Sequence, residues 1–574
     1  MRSALSPAMA SWASSAVSRL SPSARHRRAC RLTQGRMRNM QKVFAASAAL
    51  LLSFSGCAEM DNVRDPLDRP NILLILADDL GFTDLGVFGS EIRTPNLDRL
   101  AASGKLLTNF LVAPACSPTR AMLLTGRDPH RVGLGTMAGE QDERQAAAPG
   151  YEGVLTTSDT IARRLKDAGY FTCMAGKWHL GTTPAHAPQA RGFERSFALI
   201  PGGASHFSDA VRLVDAPGRA PYLEDGEPVT LAADFYSTDA YTDKLLGYIA
   251  EARRVDKPFF AYAAYTAPHW PLQAPDEWIA DCRGRYDDGY DELRAQRMAG
   301  AVAAGVVSAD QAAPSRYRFA PAWSSLDRDE QRREARTMEI YAAMVENLDH
   351  NVGRLLTSLR AAGELERTVI VFCSDNGPEG NPIGNLAGIG EWVARRFDNG
   401  LENLGRRGSY CWLSPGWAQA TVAPFRLFKS FPTQGGVRVP AIVSLPGTIA
   451  PGRSDAPVTA RDFWPMALQL ATGVASPRGQ MMMSPENDPQ HVIGWELFGR
   501  RAIQKGRFKI VWVWPPYGPG RWQLYDLVAD PAESRDLAAD YPAKLREMLE
   551  HWGDYAAENS VVLPLQDTGY ARER

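Results

Sequence analysis

The sequence predicts an α/β fold: a large, mainly parallel sheet flanked by helices, then a smaller C-terminal antiparallel sheet subdomain with a closing helix. Three observations carry this expectation. Short apolar runs without alternation, such as NILLILADD at 71–79, read as strands buried on both faces. Helical stretches lie between such runs, the alternation of a parallel sheet. Near the C-terminus the pattern changes to short strands separated by turns, as in RAIQKGRFKIVWVW and RWQLYDL.

Taken in order, NILLILADD is the first strand, and TPNLDRLAASG a helix with Thr94 or Asn96 near its cap and Gly104 as its stop. Further strands are expected at FTCMAG, KPFFAYAAYT and TVIVFCSD. Helices are expected at SDTIARRLKDAG, STDAYTDKLLGYIAEAR and EARTMEIYAAMVENLDHNVGRLLTSLRAAG. The charged stretch at about 285–332 reads as a partly helical insertion. The Pro- and Met-rich segment between Val474 and His491 marks a boundary. An α/β domain at 69–480 then precedes an α+β subdomain at 481–574, which ends in the helix AKLREMLEHWGDY.

The N-terminal part reads as an address. Basic residues Arg36, Arg38 and Lys42 precede an apolar stretch too short for a membrane span, so 37–57 is expected to be a signal peptide. It ends in FSGC, similar to a bacterial lipoprotein cleavage site with Cys57 lipidated; simple secretory cleavage is the alternative. Residues 58–68 are a polar linker. Residues 1–36, rich in Ser, Ala and Arg, are a disordered extension or an over-extended gene start, with Met37 and Met40 as alternative starts. Export to the periplasm, free or membrane-anchored, is the expectation.

The chain has 574 residues, 45% hydrophobic and 22% charged, with a net charge of −1. That near-neutral balance offers nothing to nucleic acid or an anionic membrane. Seven cysteines match no zinc spacing, and a disulfide framework is not expected in a chain of this size. Cys173 and Cys373 fall inside apolar strands, as buried inert thiols do.

Two strands each end in a pair of oxygen-bearing side chains, Asp78-Asp79 and Asp375-Asn376. Ligands of open α/β sheets bind beyond the carboxyl ends of strands, and hard oxygen donors there suit Ca²⁺ or Mg²⁺. Either pair alone equally fits turn chemistry. The segment Cys116-Ser117-Pro118-Thr119-Arg120 places Cys116 just before a helix N-terminus, with Arg120 beside it. By position this is a nucleophile-like cysteine of low pKa, or equally a structural one.

Cys116-Ser-Pro-Thr-Arg with the following LLTGR resembles the sulfatase signature, in which a maturation enzyme oxidises the cysteine to formylglycine. Its companions are present. Ala77-Asp78-Asp79-Leu80-Gly81 and Ser374-Asp375-Asn376-Gly377 resemble the two metal pairs. Gly176-Lys177-Trp178-His179-Leu180-Gly181 resembles the sulfate-handling loop, and Ala267-Pro268-His269-Trp270-Pro271 the loop of the leaving-group histidine. Lys429, before Gln434-Gly435-Gly436, matches the last active-site lysine. The similarity runs from about Arg69 to the C-terminus and is greatest to bacterial arylsulfatases of the aryl and alkyl sulfate type, a subgroup that YAAMVE, WAQA and GWELFG also resemble. Gln434 replaces the Glu of many sulfatases, and Asp462-Phe-Trp-Pro-Met466 departs from the usual Asp-x-x-Pro-Thr.

The resemblance implies an alkaline-phosphatase-like fold and hydrolysis of sulfate monoesters by a hydrated formylglycine at position 116. It implies a calcium ion, with magnesium as the alternative, on Asp78, Asp79, residue 116, Asp375 and Asn376. Lys177, Lys429 and Arg120 would neutralise charge, His269 protonate the leaving oxygen and His179 act as base, with Asp375 helping to activate the nucleophile. The alternatives are a phosphomonoester, phosphodiester or phosphonate hydrolase on the same scaffold, or an exported protein that binds sulfated ligands without turnover. Trp270, Trp412, Trp417 and Tyr410 are candidates for an aromatic pocket, and equally for core packing.

Overall fold

A computed structural model describes residues 69–311, 318–386 and 388–569. The extension, the signal segment, the linker and Cys57 lie outside them. Among the described residues no helix is long and apolar enough to cross a membrane.

The large sheet has eleven strands: β1 (Asn71–Ala77), β2 (Lys105–Leu111), β3 (Phe171–Lys177), β4 (Arg195–Leu199), β5 (Tyr222–Glu224), β6 (Glu227–Pro228), β7 (Phe259–Ala264), β8 (Thr368–Ser374), β9 (Arg438–Ser444), β10 (Gly452–Ser454) and β11 (Val458–Thr459). Their order is β10-β2-β9-β8-β1-β7-β3-β4-β5-β6, with β11 also on β2. The centre, β8-β1-β7-β3-β4, is parallel, while β9 runs antiparallel to both of its neighbours.

The unalternating apolar run of β1 has the expected cause. Leu73, Ile75 and Ala77 enter one core cluster, and Ile72, Leu74 and Leu76 the cluster on the opposite face. With both faces covered, polar side chains are displaced to the strand ends. Register then decides what meets there. Ala77 pairs with Ser374, so Asp78 and Asp375 leave the sheet side by side. Gly176 pairs with Ala264, which brings Lys177 to the same edge.

The second sheet is antiparallel, β12 (Val492–Leu497), β13 (Arg500–Lys505), β14 (Phe508–Trp512) and β15 (Gln523–Asp526), with the helix Pro542–Glu558 packed on it. In the charged insertion, Gly289–Ala303 is helical and a second helix begins at Arg328. That helix runs 34 residues to Ala361, started by a capping box in which Asp327 and Glu330 satisfy each other's backbone amides.

Candidate active site

The helix Cys116–Thr125 starts at Cys116 itself, with Ala115 as its cap and Pro118 in its first turn. The cysteine is thus one position further into the helix than the sequence suggested. It is 1% exposed, and its thiol donates to Asp78 Oδ1 at 3.4 Å. Burial, with Asp375 and Asp78 beside it, pushes this thiol well above its ordinary pKa despite Lys177 and Lys429. The low-pKa thiolate expected from the helix N-terminus is therefore corrected: carboxylates surround the sulfur, and the chain's own groups hold it as a neutral thiol.

Four carboxylates and three cations interlock around it, all buried. Lys177 Nζ donates to Asp78 Oδ2 at 2.7 Å. Arg120 donates through Nε and Nη2 to Asp375 Oδ2, at 3.1 and 2.7 Å, and through Nη1 to the Lys177 carbonyl. Lys429 Nζ lies 2.9 and 2.8 Å from the two oxygens of Asp79, and 3.4 Å from Glu379 Oε2. Asn376 Nδ2 donates to Asp79 Oδ1 at 2.6 Å.

These residues fit a divalent cation. The ligand atoms of Asp78, Asp79, Cys116 and His269 all lie within 4.8 Å of one another. Asn376 turns a buried Oδ1 into the cluster with no hydrogen-bond partner. Burial raises Asp79 to about 6 against the pull of Lys429, with Glu379 and Asp375 adding to the rise. Burial and Asp78 likewise raise Asp375, despite Arg120. A desolvated carboxylate set, joined by an unpartnered amide oxygen, is suited to a hard cation. His269 Nε2 stands 3.6 Å from Asp79 Oδ2, so an imidazole invisible as a neighbour in the sequence joins the oxygen donors.

Both histidines face this cluster. The backbone of His179 is held at φ 56°, with its amide bonded to the Ile200 carbonyl and its Nδ1 buried without a partner. His269 Nδ1 bonds the Trp270 carbonyl at 2.5 Å, which leaves Nε2 toward Asp79. Burial, then neighbouring cations, pushes both imidazoles well below their usual pKa: Lys177, Arg120 and Lys429 for His179, Lys429 and Lys177 for His269. All the site residues expected from the sequence thus meet at one end of the sheet.

Several residues were not foreseen. His206 bonds the His269 carbonyl through Nε2 and Ser237 through Nδ1, buttressing that loop. Gly202 and Gly203 lie directly against the histidines: a Cβ on Gly202 would sit 2.6 Å from the His179 ring, and one on Gly203 3.3 Å from His269. Glu379 stands beside Lys429, with Oε2 3.4 Å from its Nζ. Two glycines and one acid in loops have no periodicity to betray them. A cavity of about 630 Å³ opens from Cys116, His179, His269 and Lys429. Of the four aromatic candidates only Trp270 lines it. Tyr410 packs behind Trp270, Trp412 packs on Gly384, and Trp417 is buried among Tyr286, Tyr290 and Trp323.

Comparisons with known proteins agree with this geometry. The Sulfatase family model matches residues 70–474. An uncharacterized sulfatase of Schizosaccharomyces pombe is 43% identical over 534 residues, 87% of this chain and 95% of its own. An arylsulfatase of Klebsiella aerogenes is 39% identical over 420 residues, 72% of this chain and 88% of its own. Among solved structures, Ps i-CgsB in complex with k-i-k-neocarrahexaose is similar at a TM-score of 0.61 and 26% identity, covering 86% of this chain and 93% of that one. A phosphonate monoester hydrolase of Agrobacterium radiobacter shares the fold, with a TM-score of 0.51 at 19% identity, covering 86% and 96%. With a family model spanning most of the chain and relatives matched over most of their length, the protein belongs to the sulfatase family and is a sulfuric ester hydrolase.

Proposed function

We propose that the protein is an arylsulfatase whose nucleophile is a formylglycine made from Cys116. The observation that carries this is the placement of Cys116: a buried thiol that lines the cavity together with His179 and His269, amid four carboxylates and three cations. The hydrated aldehyde would supply one hydroxyl to attack sulfur and a second through which sulfate is released. Asp78, Asp79, residue 116, Asp375 and Asn376 would hold calcium, or alternatively magnesium, which supplies Lewis acidity to the ester oxygens.

The chain's own side chains do the rest. Lys177, Lys429 and Arg120 offset charge on the sulfate oxygens, and each is already aimed by a buried carboxylate. His179, held neutral, is suited to take a proton from residue 116. His269 delivers a proton from Nε2 to the leaving alcohol oxygen. The negative charge of the arriving ester raises the proton affinity of that imidazole, which burial and then Lys429 and Lys177 otherwise depress.

The reading extends to the chain's history. Cys116 is almost fully buried, so a maturation enzyme has to reach it before the fold closes. Residues 37–57 would direct export to the periplasm, with a lipid anchor at Cys57, and residues 69–480 and 481–574 would form the catalytic domain and its subdomain.

The direct test is the mass of the peptide spanning residue 116, from protein made in a host that matures sulfatases. An aldehyde or its hydrate is expected; an unmodified cysteine in fully active protein would overturn the proposal. The glycine contact tests the role of His179. Gly202→Ala drives a methyl group into that ring, and kcat on an aryl sulfate should fall about 10²-fold with the circular dichroism spectrum retained. A wild-type rate would show that the ring position does not matter.

A further inference from the structure

The cavity leading to Cys116 has a wall of mixed chemistry, and the minority component is informative. Most of it is apolar: Met137, Leu213, Trp270, Ile383, Leu386 and Ile389. Such a wall suits an alcohol half with an apolar ring or chain. Set into it are Arg212 and Arg395, with the acids Glu140, Asp215 and Glu391.

The backbone puts Arg212 beside the chemistry. Pro201-Gly202-Gly203 passes over both histidine rings, and the next residue, Ala204, forms an antiparallel bridge with Arg212. Ser205 N donates to the Val211 carbonyl and Val211 N to Ser205 Oγ, closing the loop between them. Leu213 reaches the same Gly203 that His269 touches. Arg212 is therefore fixed at the cavity wall, next to a residue that reaches the leaving-group histidine.

Its guanidinium is uncommitted. Arg120, Arg297 and Arg500, which are fully buried, each hold carboxylates and carbonyls. The Nε of Arg212 is buried and has no hydrogen-bond partner. Glu391 and Arg395, which also line the cavity, pair with each other at 3.5 Å. A buried N–H donor without an acceptor, in the wall of a substrate cavity, calls for an acceptor that arrives with the substrate. Because the donor belongs to a guanidinium, an anionic oxygen group answers it best.

We propose that Arg212 is a specificity-determining residue that receives a second anionic group on the alcohol half. The preferred substrates are then sulfate monoesters of an apolar ring or chain that carries a further carboxylate or sulfate. The proposal rests on the sulfatase reading of the same cavity.

The test compares two aryl sulfates, 4-nitrophenyl sulfate and an analogue with a carboxymethyl group on the ring, in wild type, Arg212→Met and Arg212→Lys. The ratio of kcat/KM, carboxylated over plain, should fall at least about tenfold in Arg212→Met and by less in Arg212→Lys. Thermal unfolding checks that each variant is folded. Calorimetric binding of both esters to Cys116→Ala, with and without Arg212→Met, gives the same comparison without turnover. A ratio within twofold of wild type in both assays would overturn the role of Arg212. Absence of hydrolysis of either ester by mature wild-type protein would instead count against the preceding reading, and the binding ratio would still decide this one.

Discussion

Replacing Cys116 with alanine abolishes hydrolysis of an aryl sulfate, lowering kcat by at least about 10⁴-fold, while fold and cation uptake survive. The size follows from the proposed role: a nucleophile at residue 116 would have no substitute among the side chains around it. Survival of the fold follows from the contacts. The thiol makes one long hydrogen bond, to Asp78 at 3.4 Å, and alanine is the best helix former for this first-turn position. Asp78, Asp79, Asp375 and Asn376 keep their places through β1, β8 and the three buried cations. Calcium at a hundredfold excess over its dissociation constant should therefore still stabilise Cys116→Ala, by about 2.7 kcal/mol. Initial rates and thermal unfolding with and without calcium check the two halves separately. Turnover at the wild-type rate would remove Cys116 from the mechanism, and a loss of the calcium response would mean that residue 116 is essential to the metal site.

This separation between site and scaffold also explains what was legible in the sequence. Asp78-Asp79 and Asp375-Asn376 could be read because strands buried on both faces cannot hide a charge, so acidic pairs at their ends stand out. The cap and stop of the helix Pro95–Ser103 were equally legible, because Thr94 and Gly104 act locally. The pKa of Cys116 was not, since it depends on carboxylates 38 and more residues away in sequence that only β-register brings near. Nor was the purpose of the stretches that marked the subgroup, and most of what they do is support. Tyr341 of YAAMVE bonds Asp84, Gly81 and the Asp79 carbonyl, fixing the loop after Asp78-Asp79. Gln419 of WAQA donates to the Leu427 carbonyl, steadying the approach to Lys429. Glu496 of GWELFG takes part in a buried charge chain that no local pattern announces.

That chain gives the largest expected effect on stability. His130 bonds Asp128 through Nδ1 at 2.8 Å and Glu496 of β12 through Nε2 at 2.9 Å, while Tyr555 of the C-terminal helix donates to the other Asp128 oxygen. All of these groups are buried, so the imidazole joins the segment after the Cys116 helix to the second sheet. Burial alone would lower the pKa of His130, but the two carboxylates outweigh it and raise it to about 9. Asp128 is held below its usual value: burial opposes this, and the bond to His130 prevails. The signs then follow. His130 contributes its full stability below its unfolded pKa of 6.5, and loses it as pH rises through about 9. Asp128 contributes above its unfolded value of 3.8 and loses it as pH falls below that. The histidine's share is on the order of 3 kcal/mol. His130→Ala removes the cation and leaves two carboxylates buried and unpaired, at a cost of about 3–5 kcal/mol. Urea unfolding at pH 6 and pH 9.5 should show wild type losing stability between the two, and His130→Ala weak at both with a flatter profile. A variant as stable as wild type at pH 6 would mean that the buried charge chain adds nothing net to stability, and that other contacts such as Arg500 to the Ser430 carbonyl and Trp495 to the Val112 carbonyl hold the second sheet.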